Sequence, residues 1–448
     1  MKANYSQLFK SLVESYYSGN FDEKLNELIG AGGANKEELA AVIASLCGVE
    51  IKYGDNFIQD IKKAITSYEI DHKVVNKVKR CSMDCITVDG RTLCQKSCPF
   101  DAIFIDGEKH TSSIDPNKCT DCGFCVEGCP TGGILDRVEF LPLANLLRSG
   151  KTVIAAVAPA ICGQFGPNVT INQLRTAFKK IGFDDMVEVA FFADMLTLKE
   201  AVEFDHHVHD KNDFMITSCC CPMWVGMLKR VYKDLVKHVS PSVSPMIASG
   251  RIIKALNPEC KVVFIGPCIA KKAEAKEKDL IGDIDFVLTF VELKAIFEAL
   301  NIIPGELEED ISKEYSSRGG RLYARTGGVS TAVGEAIEKL FPEKFKLLKT
   351  IQVDGIKDCK KLLSMAEEGK IDANFIEGMG CPGGCVGGPK AIIPREEGKE
   401  RVNEFAEGSE IRVSIDSKCM HEILSRLHIN SAQDFKDISK IQIFEREF

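Results

Sequence analysis

Thr217-Ser218-Cys219-Cys220-Cys221-Pro222-Met223-Trp224 sets three adjacent cysteines between a short apolar run, Phe214 to Thr217, and a helical pattern that begins at Met223. Neighbouring cysteines cannot bridge to one another without strain, because a disulfide asks for separated Cα atoms and a near-perpendicular torsion. They read as metal ligands and acids. Two other stretches repeat the setting: Gly266-Pro267-Cys268-Ile269-Ala270-Lys271-Lys272, and Glu377-Gly378-Met379-Gly380-Cys381-Pro382-Gly383-Gly384-Cys385-Val386-Gly387-Gly388. Together the three can supply four thiolates to one cluster and still leave a thiol free.

Around these stretches, apolar runs alternate with helical patterns. Thr152 to Val157, Val187 to Phe192, Phe214 to Thr217, Val262 to Ile265 and Ile284 to Leu288 read as strands. Leu174 to Ile181, Leu196 to Phe204, Met223 to Lys237 and Val291 to Leu300 read as helices. The alternation predicts an α/β architecture with mostly parallel sheets. Ligands in such folds sit beyond the carboxyl ends of strands, and all three cysteine stretches fall there. A second lobe is expected from Arg321 to about Pro394, with helices at Ser330 to Leu340 and Lys360 to Glu367 and a strand at Ala373 to Glu377 that runs into Cys381. Glu306 to Asp310 reads as an acidic connector. A helix is expected around Met420 to Leu427, and Gln442 to Phe448 as a short strand or loose tail.

Upstream, Leu8, Leu12, Val13, Leu25, Leu28, Ile29, Leu39, Val42, Ile43 and Leu46 recur at helical spacing, with a turn at Gly30 to Gly33. The expected organisation is a helical domain over 1–75, a cysteine-rich domain over 76–140 and a catalytic domain over 141–448, whose lobes meet near residue 305. In the cysteine-rich part, Cys119, Cys122, Cys125 and Cys129, followed by Pro130, have the bacterial ferredoxin spacing. Cys81, Cys85, Cys94 and Cys98, followed by Pro99, are a stretched version with a small hairpin through Asp89-Gly90. In two-cluster ferredoxins the fourth cysteine of each run ligates the other cluster. The likeness gives one [4Fe-4S] cluster Cys81, Cys85, Cys94 and Cys129, and the other Cys119, Cys122, Cys125 and Cys98. Two cubanes in series are an electron wire.

Composition narrows the rest. With 448 residues, 45% of them hydrophobic and 27% charged, the chain has room for two or three domains, and its formal net charge of −8 argues against a nucleic-acid surface. No run of about 18 apolar residues suggests a membrane span, and Met1 to Asn20 lack the features of a secretory signal, so a cytoplasmic location is expected. Nineteen cysteines, mostly clustered, fit iron-sulfur sites in a reducing compartment. No dinucleotide-binding glycine fingerprint follows a strand. His206, His207 and His209 read as an exposed loop, Lys272 as a solvated surface lysine, and Cys47, Cys162, Cys260, Cys359 and Cys419 as core thiols.

From Cys81 to about Cys419 the sequence resembles an iron-only, or [FeFe], hydrogenase. The three signatures Thr-Ser-Cys-Cys-Pro-x-Trp, Met-Pro-Cys-x-x-Lys-x-x-Glu and Glu-x-Met-x-Cys-x-x-x-Cys correspond to Thr217 to Trp224, Gly266 to Glu274 and Glu377 to Gly388. The resemblance implies a two-lobed catalytic domain behind a two-[4Fe-4S] ferredoxin-like domain. It also implies an H-cluster: a cubane joined through one cysteine to a diiron unit bearing carbonyls, cyanides and a bridging azadithiolate. Cys221, Cys268, Cys381 and Cys385 are then the cubane ligands. Pro159, Ala160, Pro267, Lys271, Met379 and Gly384 contact the cofactor, with Lys271 as a charged donor to a cyanide and Glu274 beside it.

The implied reaction is reversible interconversion of protons and electrons with H₂. Ferredoxin or flavodoxin is the electron partner, and maturation enzymes are needed. The family has two cysteines before the proline, an acid and a ligand, and this chain has three. Counting back from Pro222 makes Cys221 the ligand and Cys220 the acid, with Cys219 where serine is usual; an inserted residue instead makes Cys219 the acid and Cys220 the spare. In the first register Glu203 and Ser240 match the family's relay positions without a gap, and Glu200 lies one helical turn from Glu203. Gly266, Ala160, Met246 and Pro389 depart from the family pattern, as in its divergent group B branch. The alternatives are an iron-sulfur carrier or assembly protein, or a redox sensor, without the diiron unit.

Overall fold

Seen in a computed structural model that describes residues 3–68, 73–81, 84–106, 111–210, 213–217, 220–313 and 315–448, the chain builds its site between two parallel sheets. Strands β1 (Val75–Lys77) to β4 (Ile134–Asp136), with β2 (Ile103–Asp106) and β3 (Thr111–Ile114) between them, belong to the cysteine-rich part. They form two antiparallel pairs, β1 with β4 and β2 with β3. The hairpin expected at Asp89-Gly90 is present, with Ile86 bridged to Thr92.

Four parallel strands make the first sheet: β5 (Val153–Val157), β6 (Asp185–Glu188), β8 (Lys261–Gly266) and β9 (Phe286–Thr289), in the order β6-β5-β8-β9. The second sheet is also parallel, in the order β10-β11-β7, from β7 (Met215–Ile216), β10 (Thr350–Asp354) and β11 (Phe375–Met379). Met215 and Ile216 pair with Phe375 and Ile376, so the strand leading into the triple cysteine joins the second sheet. A single cut of the chain near residue 305 therefore does not separate the sheets. The carboxyl ends of β5, β7, β8 and β11 run into Ala158, Thr217, Pro267 and Gly380, and these ends face one another across the site.

Local signals explain most helix starts. Thr170 and Gln173, and likewise Thr289 and Glu292, form reciprocal capping boxes at the Ile171–Ile181 and Phe290–Ala299 helices. Pro222 and Pro245 begin their helices at the position where a missing N–H costs nothing. Two readings are corrected. Val187 to Phe192 is not one strand: β6 ends at Glu188 and the Val189–His207 helix starts at the next residue. Residues 189–204 of that helix are all buried, and an apolar run buried on every side has no periodicity to distinguish helix from strand. The helix read over Met223 to Lys237 is two pieces, Pro222–Arg230 and a 3₁₀ turn Lys233–His238. The break falls where the Val231 and Tyr232 N–H groups both return to the Met227 carbonyl.

The N-terminal helices share one apolar core with the first sheet, in which Phe9, Leu12, Leu25, Val42 and Ile43 are continuous with Phe290 and Ile296. Gln442 to Phe448 is neither a free strand nor loose: a 3₁₀ turn Gln442–Phe444 leads to a bridge between Glu445 and Ser242. His206 and His207 are exposed but close the Val189–His207 helix rather than lying in a loop, because the helix continues until buried Val208. Cys419 is exposed on the Lys418–Arg426 helix, not in the core, since its face of that helix carries polar neighbours. No helix among the described residues is long and apolar enough to cross a membrane.

Candidate functional site

Cys94 lies in the short Leu93–Ser97 helix, capped by Thr92, and Cys125 in the Phe124–Gly128 helix. Each helix ends on the next cysteine of its run, Cys98 or Cys129. Burial pushes the Cys119 thiol up to about 11 and the Cys122 thiol up to about 12, with the nearby Cys98 adding to both. It pushes Cys125 up as well, where Cys122, Cys119 and Cys98 add to it. For Cys94, raised chiefly by burial, the neighbouring cysteines are Cys129 and Cys85. Cys98 thus keeps company with the second run, and Cys129 with the first. Burial pushes Cys129 up too, but hydrogen bonds from Thr131, Gly133 and Ile134 leave it below the usual thiol range. The Ala102 N–H donates to Cys98 Sγ at 3.3 Å and the Asp121 N–H to Cys119 Sγ at 3.4 Å, the kind of contact that tunes a cluster sulfur.

Two cavities adjoin at the carboxyl ends of the strands. Cys221, Cys268, Cys381 and Cys385 line the first, with Cys122, Phe124, Met223, Met379, Gly384 and Pro389. The second is walled by Ala158, Pro159, Ala160, Ala193, Pro245, Met246, Phe264 and Tyr323. Cys220, Lys271 and Cys385 line both. Burial pushes Cys268 up to about 11 and Cys385 up to about 12, and Cys381 well above the usual thiol range; Cys221 adds to all three. Four thiols from three distant strand ends therefore bear on one another. Such thiols lose their protons when a metal binds.

Whether this pocket fits a cubane joined to a diiron unit follows from its donors and walls. The Gly380 N–H donates to Cys221 Sγ at 3.3 Å. Pro267, which precedes Cys268, takes hydrogen bonds on its carbonyl from the Lys390 N–H at 3.0 Å. The second cavity has almost wholly apolar walls, and besides Cys385, shared with the four-thiol cavity, it meets the Cys220 thiol and the Lys271 ammonium. Lys271 is 6% exposed and sits 2.7 Å from Glu274 Oε2. Burial alone would lower its pKa, but Glu274, with Cys268 and Cys385 adding to it, holds it above the usual lysine range. Soft ligand sites for iron and a charged donor beside an apolar chamber fit the composite cofactor.

Gly384 shows how closely the backbone wraps this pocket. Its φ is +85°, and a Cβ there would lie 2.7 Å from Thr326 N and 2.8 Å from Met379 Sδ. Gly384→Ala is expected to cost about 1–3 kcal/mol in backbone strain and to lower iron per chain by displacing Cys385. Iron and sulfide analysis of the purified variant checks this, and unchanged loading would remove any special role for the glycine.

The expected relay residues are also buried. Glu200 accepts from Thr217 Oγ1 at 2.9 Å, and Glu203 from Ser240 Oγ at 2.7 Å. The helix face that carries them is interior, not solvated. Lys272 too is corrected: it is fully buried and ion-paired with Asp136, at 3.0 Å, and with Glu292. The site lysine and this structural one are adjacent in the sequence, too close for composition to tell them apart. Ser218 and Cys219 lie outside the described residues. Of the departures noted above, Ala160, Met246 and Pro389 line the cavities, and a Cβ at Gly266 would meet the Phe264 ring at 2.6 Å. Phe264 therefore fills the room a larger residue at 266 would need.

Lys199 and Ser242, which bond to Glu203 and Ser240, and Glu445, which pairs with Lys199, carry no motif; the one signal is a lysine inside an apolar helix. Glu377, buried, accepts from the Gly327 N–H at 2.7 Å and the Ser330 N–H at 2.8 Å. It thus caps the Gly328–Leu340 helix and fixes the strand that ends at Met379.

Residues 151–389 match the family described as iron only hydrogenase large subunit, C-terminal domain, and residues 84–133 match the 4Fe-4S dicluster domain. The periplasmic [Fe] hydrogenase large subunit of Nitratidesulfovibrio vulgaris is 30% identical over 64% of this chain and 87% of its own length. The NADP-reducing hydrogenase subunit HndD of Solidesulfovibrio fructosivorans is 27% identical over 60% of this chain, a match spanning 55% of that relative. Cytosolic iron-sulfur assembly component 3 of Bos taurus is 24% identical over 66% of this chain and 75% of its own. In fold, the chain is similar to the [FeFe]-hydrogenase HydA1 of Chlamydomonas reinhardtii, with a TM-score of 0.53 at 23% identity, over 63% of this chain and 93% of that one.

Proposed function

The chain belongs to the iron-only hydrogenase family, and from that premise we propose that it catalyses 2H⁺ + 2e⁻ ⇌ H₂ at an H-cluster held by Cys221, Cys268, Cys381 and Cys385. One observation carries the reading: a four-thiol cavity shares Cys220, Lys271 and Cys385 as walls with an apolar chamber. The diiron unit supplies the open iron at which H₂ is made or split. Everything else falls to the chain. Cys385, which lines both cavities, would be the ligand that tethers the diiron unit to the cubane. Lys271, kept charged by Glu274, would donate to a cyanide and so orient the diiron unit. Met379 would be a soft contact for the diiron unit, and Pro159, Ala160 and Met246 would exclude water.

Cys220 holds and releases the proton beside the chamber; an ordinary thiol titrates near enough to neutrality for the task. Behind it Glu200, Glu203 and Ser240 lead protons from the surface. Electrons arrive through the two ferredoxin-like clusters. Cys122 lines the same cavity as the four H-cluster thiols, so the second cluster adjoins the active site. Ferredoxin or flavodoxin is the proposed donor, and the cytoplasm the proposed location, where thiols stay reduced.

The likeness to an iron-sulfur assembly component favours a second reading, a carrier with cubanes alone. Such a carrier has no use for the apolar chamber or for a charged lysine and a thiol facing it. Infrared spectra of protein produced with the maturation enzymes separate the two. Carbonyl and cyanide stretches, with hydrogen evolved from reduced viologen, are the expected result. Iron-sulfur clusters without those bands would replace hydrogenase by carrier or sensor.

A further inference from the structure

Lys199 carries an ammonium into the interior with none of its side chain exposed. An uncompensated charge there would cost several kcal/mol, and three groups surround it: Glu203 one helical turn on, Ser242 Oγ at 3.1 Å, and Glu445 Oε1 at 3.4 Å. Ser240 Oγ is 2.7 Å from Glu203 Oε2 and 2.8 Å from Ser242 Oγ, which closes a ring. Glu445 is the most exposed member, at 22% of its side chain against 11% for Glu203.

One carboxylate would balance Lys199; the second comes from the chain's last residues, and their backbone is anchored to deliver it. The Val243 N–H donates to the Phe444 carbonyl at 2.8 Å, the Arg446 N–H to the Pro241 carbonyl at 2.9 Å, and the Arg251 guanidinium to the Glu445 carbonyl at 2.6 Å. Other charges nearby point elsewhere. Arg446 pairs with Glu277 and Asp279, and Arg251 with Asp283. His207, one turn beyond Glu203 on the same helix, feels both Glu203 and Lys199 and is exposed. It is the competing way in.

We propose that the C-terminal segment supplies the solvent end of the proton path, with Glu445 taking a proton from water and passing it through Lys199 to Glu203 and Ser240. The inference rests on the proton path proposed above and extends it to the surface. Charge and protons balance: the Lys199 ammonium first gives an N–H proton to the Glu203 carboxylate, and the amine so formed, which now has a lone pair, takes the proton of the Glu445 carboxyl. Lys199 ends as it began, and no electron moves. Hydrogen oxidation runs the same hop backwards.

Glu445→Gln and Lys199→Met are expected to slow hydrogen turnover about tenfold, at the low end for a proton-transfer group because water can reach part of the path. The loss should grow as pH rises. Lys199→Arg keeps a cation that does not release its proton and should resemble Lys199→Met. A second readout needs no turnover: infrared difference titration with ¹³C-labelled glutamate on protein lacking the diiron unit, in which Lys199→Met moves the Glu203 titration upward. Wild-type turnover and pH profile in Glu445→Gln, a loss confined to His207→Asn, or a glutamate titration indifferent to Lys199→Met would each overturn the proposal. Should the matured wild type lack carbonyl and cyanide bands, the hydrogenase reading fails, and the glutamate titration alone decides whether Lys199 joins the two carboxylates.

Discussion

Cys220→Ser lowers hydrogen turnover about 10²- to 10⁴-fold, the usual worth of a positioned acid-base group, while the carbonyl and cyanide bands stay in place. Serine keeps the size and hydrogen bonding of cysteine, but a hydroxyl does not give up its proton near neutrality as a thiol with a pKa of about 8.5 does. The variant therefore isolates proton delivery from cofactor binding. Cys220 lines both cavities, whereas Cys221 lines only the four-thiol one and receives the Gly380 N–H. That arrangement fits the register in which Cys221 is the ligand and Cys220 the acid. Full turnover in Cys220→Ser with a collapse in Cys219→Ser would transfer the role to the neighbouring thiol. Full turnover in both would end the idea of a thiol acid. A loss of the infrared bands in Cys220→Ser would instead make Cys220 a structural part of the cofactor site.

The convergence of Cys221, Cys268, Cys381 and Cys385 on one cavity was legible because ligand-like spacing stands out, and because a strand end followed by Pro-Cys or Gly-x-Cys leaves few other uses for the residues. The companions of those thiols were less readable. Glu203 and Ser240 were reachable through the family's relay positions, but Lys199 and Glu445 are joined by folding alone, 246 positions apart in the sequence. The apolar run at Val187 to Phe192 hid a strand-to-helix junction, since complete burial erases the period that separates the two. The two-residue β7 pairs with β11 by long-range contact, and nothing local states which sheet so short a strand joins. Lys272 misled because charged side chains are almost never fully buried unless paired, and its partners lie on β4 and on the Phe290–Ala299 helix.

Lys272→Met is expected to destabilise the fold by about 3–5 kcal/mol, the cost of leaving buried charges without their partner. Lys272 sits four residues after Cys268 and binds Asp136 on β4 and Glu292 on the Phe290–Ala299 helix. It ties the ferredoxin-like part to the strand end that carries Cys268. Burial opposes the ionisation of Asp136, yet Lys272 and Lys390 hold its carboxyl well below the usual range. Burial likewise works against Lys272, and Glu292 and Asp136 outweigh it, so its pKa is raised. For the depressed carboxyl, the stability it contributes is present above the ordinary Asp range near 4 and is lost as pH falls through its lower folded value; for the raised lysine, it is present below about 10.4 and lost as pH rises through its higher folded value. The wild type should therefore lose little through this network between pH 5 and 9. In Lys272→Met the carboxylates are buried without that cation, and protonation relieves them, so stability should rise as pH falls from 8 to 5. Urea unfolding followed by circular dichroism at both pH values measures the difference. A loss below about 1 kcal/mol, or a variant less stable at pH 5 than at pH 8, would show that Lys272 is not what joins the cluster-bearing part to the catalytic sheet.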